Sequence, residues 1–312
     1  MLIAIAVHAD LAAILKVLRS AGSALWWLIP YRISFFALYA LGWLALLRPV
    51  DAQRRVNLGY LLWAAIVRDG VDRLLPVASV GGSVVGVRLL RWRGVATAPG
   101  AASVIVEILI TLVVVYLFTA LGLLLLSDHR GASHDYQRAL LVFALSLPVP
   151  LGVILLLRKG WALKLLHFLV NAVAGDSDVS RATAALDEEV RASLRRASPL
   201  GIAGCLQWVA FVSGAFEIWF PLRVFHHPVS LSAALALESM TQAVRHIAFL
   251  VPAGIGVQEA GILVFGQLLG IPADMAFALA MVKRLRELAW GLPALASWQW
   301  AEARRLRRAA VH

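Results

Sequence analysis

Residues 251–300 read VPAGIGVQEAGILVFGQLLGIPADMAFALAMVKRLRELAWGLPALASWQW, and they constrain the fold more than any other part of the chain. The stretch is apolar enough to enter a bilayer. Yet Pro252, Gly254, Gly256 and Pro272 break it, and it holds Glu259, Lys283, Arg284, Arg286 and Glu287. Backbone N–H and C=O groups freed by such breaks find no water in hydrocarbon, so a broken backbone cannot face lipid. An ionised side chain at the centre of a membrane helix costs roughly 2.5–3.5 kcal/mol on insertion scales, unless it faces a cavity or an opposite charge. The segment is therefore expected to line a polar site or path inside a helical membrane protein.

The rest of the chain agrees. Of its 312 residues 61% are hydrophobic and 15% charged, with a mean hydropathy of +0.81. A soluble domain of this size needs far more polar surface. The net charge of +11 reads as Lys and Arg that set orientation and meet anionic headgroups. No soluble region is long enough to carry nucleic-acid binding. Cys205 has no second cysteine to pair with and reads as a small buried hydrophobe. MLIAIAVH is short and lacks a basic leader, so no cleavable signal is expected.

The expected fold is an all-α polytopic helical membrane protein. Apolar runs give about seven or eight transmembrane helices and two broken or re-entrant Gly/Pro elements in one integral membrane domain over 1–312. The first half, 1–157, holds an interrupted span at 23–47, a broken element at 56–90, and spans at 96–126 and 140–157. Within 56–90, short segments at 56–67 and 74–90 flank the polar RDGVDR and read as a re-entrant pair. The connector 158–198 is polar. Its Val179, Thr183, Leu186, Val190 and Leu194 recur at helical spacing, and Asp187 and Arg191 form an i,i+4 pair. The second half, 199–312, holds spans at 200–220 and 229–250, a broken element at 251–270 and a closing span at 273–298. The distribution of Lys and Arg among the loops puts the C-terminus and 161–198 in the cytoplasm and 128–138 on the opposite side.

The two broken elements carry the candidate site. One is LLPVASVGGSVVGVRLLRWRG, with Pro76, Gly81, Gly82 and Gly86 before Arg88, Arg91 and Arg93. The other is VPAGIGVQEAG, with Glu259 inside it. Short Gly/Pro-interrupted apolar segments in corresponding halves point to a transporter's midplane site and to an inverted repeat. The two segments share a pattern and few residues. Glycines also serve close helix packing in lipid, but packing does not explain the adjacent charges. Arg88, nearest the glycines, suits a phosphate through its planar two-pronged fork; Arg91 and Arg93 read at least as well as interface anchors.

Lys283–Glu287 is an i,i+4 pair and Arg284–Glu287 an i,i+3 pair. Three bases against one acid require a further partner. That partner is a carboxylate on another helix, such as Glu259 or Glu238, or an anionic ligand. Glu259 sits where a helix following the 252–256 break would start, so it could simply cap that helix. The sharper expectation is that it pairs with one of Lys283, Arg284 and Arg286 and leaves the others free for a lipid phosphate. Glu107 and Glu217 read as structural partners. The full candidate substrate-binding set is Gly81, Gly82, Arg88, Glu238, Arg245, Pro252, Gly254, Gly256, Glu259, Lys283, Arg284, Arg286 and Glu287. No nucleotide-binding, metalloprotease or serine-hydrolase motif appears, so no catalytic residue, metal or cofactor is expected. His129, His134, His226 and His227 are loop residues without metal-ligand spacing. Glu259 with Glu238 is the one acid/base pair that an enzyme reading could use.

VPAGIGVQEAG followed by KRLRELAWGLPAL resembles the flippase-like membrane domain of lysylphosphatidylglycerol synthases, nearest to its stand-alone, hopanoid-associated (HpnL-type) branch. PVASVGGSVVGVRLL resembles that family's first glycine motif, and the likeness spans nearly the whole chain. Pro252, Gly254, Gly256 and Glu259 match the C-terminal motif; Gly81, Gly82 and Arg88 match the N-terminal one. The resemblance implies a bacterial inner-membrane protein that moves a lipid between leaflets. Its partners would be an anionic phospholipid or a hopanoid, and lipid-biosynthesis proteins. Ala253 stands where relatives often have Gly, and Ser83 where they often have an acid, which weakens any role for a carboxylate there. The chain reads as short at its N-terminus, where the family's first span belongs. It contains no soluble aminoacyl-transferase domain, so aminoacylation of lipid is not implied. The readings that compete with translocation are a membrane-embedded transferase or accessory subunit acting on a lipid, and a scaffold for a lipid-biosynthetic complex. A scaffold leaves the buried charges unexplained.

Overall fold

The structure is a computed structural model that describes residues 22–75, 81–130, 141, 143–148, 152, 155, 177–248 and 256–309. Among these residues the regular structure is entirely helical. A 3-10 turn at Gly22–Trp27 runs into α1, Leu28–Leu47; α2 is Leu58–Leu74, α3 Gly81–Trp92 and α4 Thr97–Arg130. Then come α5, Ser177–Leu194; α6, Ala197–Ser213; α7, Phe216–Val224; α8, Leu231–Ile247; α9, Val257–Leu268; and α10, Ala273–Ala309.

Among the described residues three stretches are long and apolar enough to cross a bilayer: Gly22–Leu47, Thr97–Ser127 and Ala197–Val224. With this composition the chain is a multi-pass helical membrane protein. By contrast, α3 and α9 have only 12 residues each. At about 1.5 Å per residue such a helix falls well short of a hydrocarbon core roughly 30 Å thick.

The sequence expectation for 56–90 needs correction. RDGVDR is not a separator between two short segments: it lies inside α2, which continues to Leu74. Asn57 starts α2 by accepting the Tyr60 N–H at 2.8 Å, a side-chain cap for an otherwise orphaned donor. The chain leaves the helix only after the polar turn, and α3 begins at Gly81. Polarity alone suggests a break, but the oppositely charged residues of RDGVDR stand at i,i+4, the spacing a helix satisfies, and Asp69 and Arg73 pair at 2.6 Å. The expected connector helix is present as α5, which packs on α4 and holds its Asp187–Arg191 pair at 2.6 Å. Cys205 is exposed on α6 rather than buried.

Two apolar clusters organise the bundle. One joins α7, α8 and α9 to the start of α10 through Ile218, Leu222, Leu237, Ile262 and residues 276–282. The other joins α1, α2 and α3 to the far half of α10 through Trp43, Leu61, Leu89 and Ala294. Where α2 crosses α10, Gly70 and Gly291 face one another so closely that a Cβ on Gly70 would lie 3.2 Å from the Gly291 Cα. So α10 links the two short-helix pairs, α2–α3 and α8–α9. The charged segment 283–287 falls between the clusters.

Candidate functional site

Lys283, Arg286 and Glu287 are all buried. A charge buried among helices must be paired, and each base here finds a carboxylate on a different helix. Lys283 Nζ donates to Glu238 on α8 at 2.5 Å, and Gln242 Nε2 donates to the other oxygen of Glu238 at 2.8 Å. Arg284 donates to Glu259 on α9 at 2.9 Å and to Glu287, one turn on, at 3.1 Å. Arg286 pairs with Glu217 on α7, which also accepts from Arg32 on α1 at 3.3 Å.

Glu287 is the hub. Beyond Arg284, it accepts from Arg73 on α2 at 2.5 Å and faces Arg245 on α8 at 3.8 Å and Arg286 at 3.9 Å. Arg73 is also held by Asp69 at 2.6 Å. Among the described residues the connected set, joined through Arg286 and Glu287, therefore contains five bases, Arg32, Arg73, Arg245, Arg284 and Arg286, and four acids, Asp69, Glu217, Glu259 and Glu287. It ties together α1, α2, α7, α8, α9 and α10.

Arg245 is the weakest-held base. Its carboxylate contact is the 3.8 Å one, and its only side-chain hydrogen bond among the described residues is a long 3.4 Å donation to Gln258 Oε1. Its side chain is 20% exposed, against 2% for Glu287. Gln258 is itself buried, and its Nε2 has no hydrogen-bond partner among the described residues. A surplus base and an unused amide donor thus meet beside the start of α9.

That start is built by Gly256 and Glu259. Gly256 takes φ +85, a left-handed conformation that costs glycine little and an L side chain much more. Its N–H donates to Glu259 Oε2 at 2.9 Å, while Glu259 Oε1 holds Arg284. The capping and ion-pair readings of Glu259 are both correct, one for each oxygen.

The expectation that Glu259 leaves the other two bases free is corrected by this geometry. Lys283 belongs to Glu238 and Arg286 to Glu217, so the free cationic character sits at Arg245. The expected Lys283–Glu287 contact also gives way to the cross-helix bond with Glu238. Arg88 stands apart: it is exposed and paired with Glu302 near the end of α10. Gly81 opens α3, and Gly82 lets that helix start against α2, where its N–H donates to Asp72 at 2.7 Å. Pro252 and Gly254 lie outside the described residues.

Sequence reasoning did not assign Arg32, Asp69 and Arg73 to this site. RDGVDR held the signal, because its helical spacing places Asp69 with Arg73 and Arg68 with Asp72. Among the described residues no group of three or more His, Cys, Asp and Glu side chains is placed to hold a metal ion.

The sequence matches the family described as the lysylphosphatidylglycerol synthase TM region over residues 1–294. The chain belongs to that family. It is accordingly a membrane protein of a family related to lipid modification or transport, and membrane lipids fit it as partners. No curated protein and no solved structure matches it at significance. Within the family's matched span lie both short-helix pairs and the whole 283–287 cluster.

Proposed function

We propose that this protein moves a lipid between the leaflets of the bacterial inner membrane without changing it covalently, with its C-terminus in the cytoplasm. The observation that carries the reading is Arg245: a base on α8 with no short carboxylate bond, partly open, inside a network that otherwise pairs every base. Arg forks match phosphate and carboxylate oxygens, and the amide of Gln258 supplies a further donor at the same place. An anionic headgroup can take the place of Glu287 at Arg245 while Glu287 keeps its shorter bonds to Arg73 and Arg284. Arg245 then exchanges a carboxylate for the headgroup inside the bundle, which lowers the cost of carrying charge through it. Helices too short to cross, α3 and α9, leave polar backbone ends at membrane depth, as transporter sites do.

A covalent step has less support. Glu238 and Glu259, the one candidate acid/base pair, are each occupied by a base and a second donor. The family resemblance favours a hopanoid or another isoprenoid-derived lipid, and Arg245 favours one with an anionic headgroup.

Native mass spectrometry of the purified protein against a panel of anionic and zwitterionic lipids tests this. Anionic lipid should be retained selectively by the wild type and lost from Arg245→Ala. Equal retention of both classes by both proteins contradicts the reading.

A further inference from the structure

A second buried polar cluster lies on the neighbouring face of α2, about 100° around the helix from Asp69 and Arg73, and the network above does not use it. Arg68 of α2 donates to Glu107 Oε2 of α4 at 2.7 Å and stacks over the Trp43 ring at 4.4 Å. Glu107 is 1% exposed, and its Oε1 has no hydrogen-bond partner among the described residues. Asp72, one turn after Arg68, accepts the Gly82 N–H at the amino end of α3. That end is a site of partial positive charge, so Asp72 is held there by α3. Arg68 is left to Glu107.

The groups that face Glu107 are Arg68 and Asp72 from α2 and Tyr39 from α1. The Tyr39 hydroxyl is hydrogen-bonded to Thr111 at 2.9 Å, and Thr111 is bonded in turn to Gln207 of α6 at 3.0 Å. Neither Thr111 nor Gln207 is titratable. The cluster therefore has two acids, Glu107 and Asp72, against one base, Arg68. The network around Glu287 has the opposite imbalance, one base in excess. The two imbalances sit on neighbouring faces of the same helix, and among the described residues no ion pair joins them.

A carboxylate oxygen buried without a donor is costly at membrane depth, and what removes the cost is a bound positive charge. Asp72 and Arg68 are only partly buried, so the cluster reaches the protein's surface beside Glu107. We propose that Glu107, with Arg68 and Asp72, forms a site for one exchangeable monovalent cation, H⁺ or Na⁺, whose occupancy is coupled to the lipid site across α2. Loading an anionic headgroup at Arg245 and a cation at Glu107 leaves the interior neutral. The coupling rests on the lipid-translocation reading; the cation site itself does not.

Purified protein in liposomes on a solid-supported membrane decides it, without added lipid substrate. A pH jump and, separately, a Na⁺ jump are applied and the charge displacement is recorded. One of the two jumps should displace charge in the wild type, which identifies the ion, and the signal should fall at least tenfold in Glu107→Gln. Glu107→Asp should keep a reduced signal. The same ion should raise the thermal unfolding temperature of the wild type, a readout that does not depend on any variant folding. No displacement by either jump, or an undiminished signal in Glu107→Gln, overturns the site. A cation signal that stands while no lipid moves sinks the translocation reading and the coupling but leaves the cation site intact.

Discussion

Glu259 divides its two carboxylate oxygens between the backbone and the site: one accepts the N–H of Gly256, the other holds Arg284. The residue that starts α9 is thus also the residue that ties α9 to α10. Local helix chemistry and the long-range ion pair cannot be separated by sequence position. They can be separated by substitution.

Glu259→Gln keeps an acceptor for the Gly256 amide and removes the charge facing Arg284. Glu259→Ala removes both. A lost cap costs about 1 kcal/mol. The Ala variant should therefore unfold at a lower temperature than the Gln variant in detergent. Both should lose lipid-dependent activity while Glu259→Gln still reaches the membrane.

Glu287 is buried and shared by Arg73, Arg284 and, more distantly, Arg245 and Arg286. Removing one partner of a buried pair typically costs about 3–5 kcal/mol, because the other charge is stranded. Glu287→Gln should be among the most destabilising single changes in the protein. Combining it with Arg73→Gln should cost less than the two singles added together, as a double-mutant thermal unfolding cycle would show.

Gly82 is a steric requirement. A Cβ there would lie 2.4 Å from Asp72 Oδ2 and 2.6 Å from the Arg68 carbonyl oxygen, and backbone cannot give way cheaply. Gly82→Ala should destabilise the protein by roughly 1–3 kcal/mol, the usual cost of overpacking. Gly59→Ala is the control: its nearest neighbour would be Asn57 Oδ1 at 3.8 Å, so stability should hold or rise slightly.

The proposed orientation predicts that a cysteine at position 185 is labelled only from the cytoplasmic side and one at position 132 only from outside. Ala185 is exposed on α5. Because Cys205 is itself exposed, the experiment must start from Cys205→Ala. Labelling of position 185 in intact cells by an impermeant reagent reverses the orientation.

Much of this was legible in the sequence, for physical reasons. Charges at 283–287 in an apolar run had to be paired inside the bundle, and Glu238 and Glu259 were foreseeable partners because they too lay in apolar runs. Gly256 before an acid read as a helix start, and φ +85 explains the glycine. Less legible was RDGVDR. A window that averages polarity sees a loop, whereas a helix splits the same six residues between two faces, Asp69 with Arg73 on one and Arg68 with Asp72 on the next. Which carboxylate takes which base was not legible either. Lys283 and Glu287 have ideal helical spacing, yet Lys283 reaches Glu238, a choice made by the packing of α8 on the bundle.

The measurement closest to the central claim is lipid movement itself. Purified protein is reconstituted into liposomes carrying trace fluorescent anionic or zwitterionic lipid, and loss of inner-leaflet signal to an impermeant quencher is followed in time. The account predicts that the wild type accelerates movement of the anionic probe over empty liposomes and over the zwitterionic probe, and that Arg245→Ala abolishes the difference while remaining folded. No acceleration by the wild type, or an unchanged headgroup preference in Arg245→Ala, contradicts it.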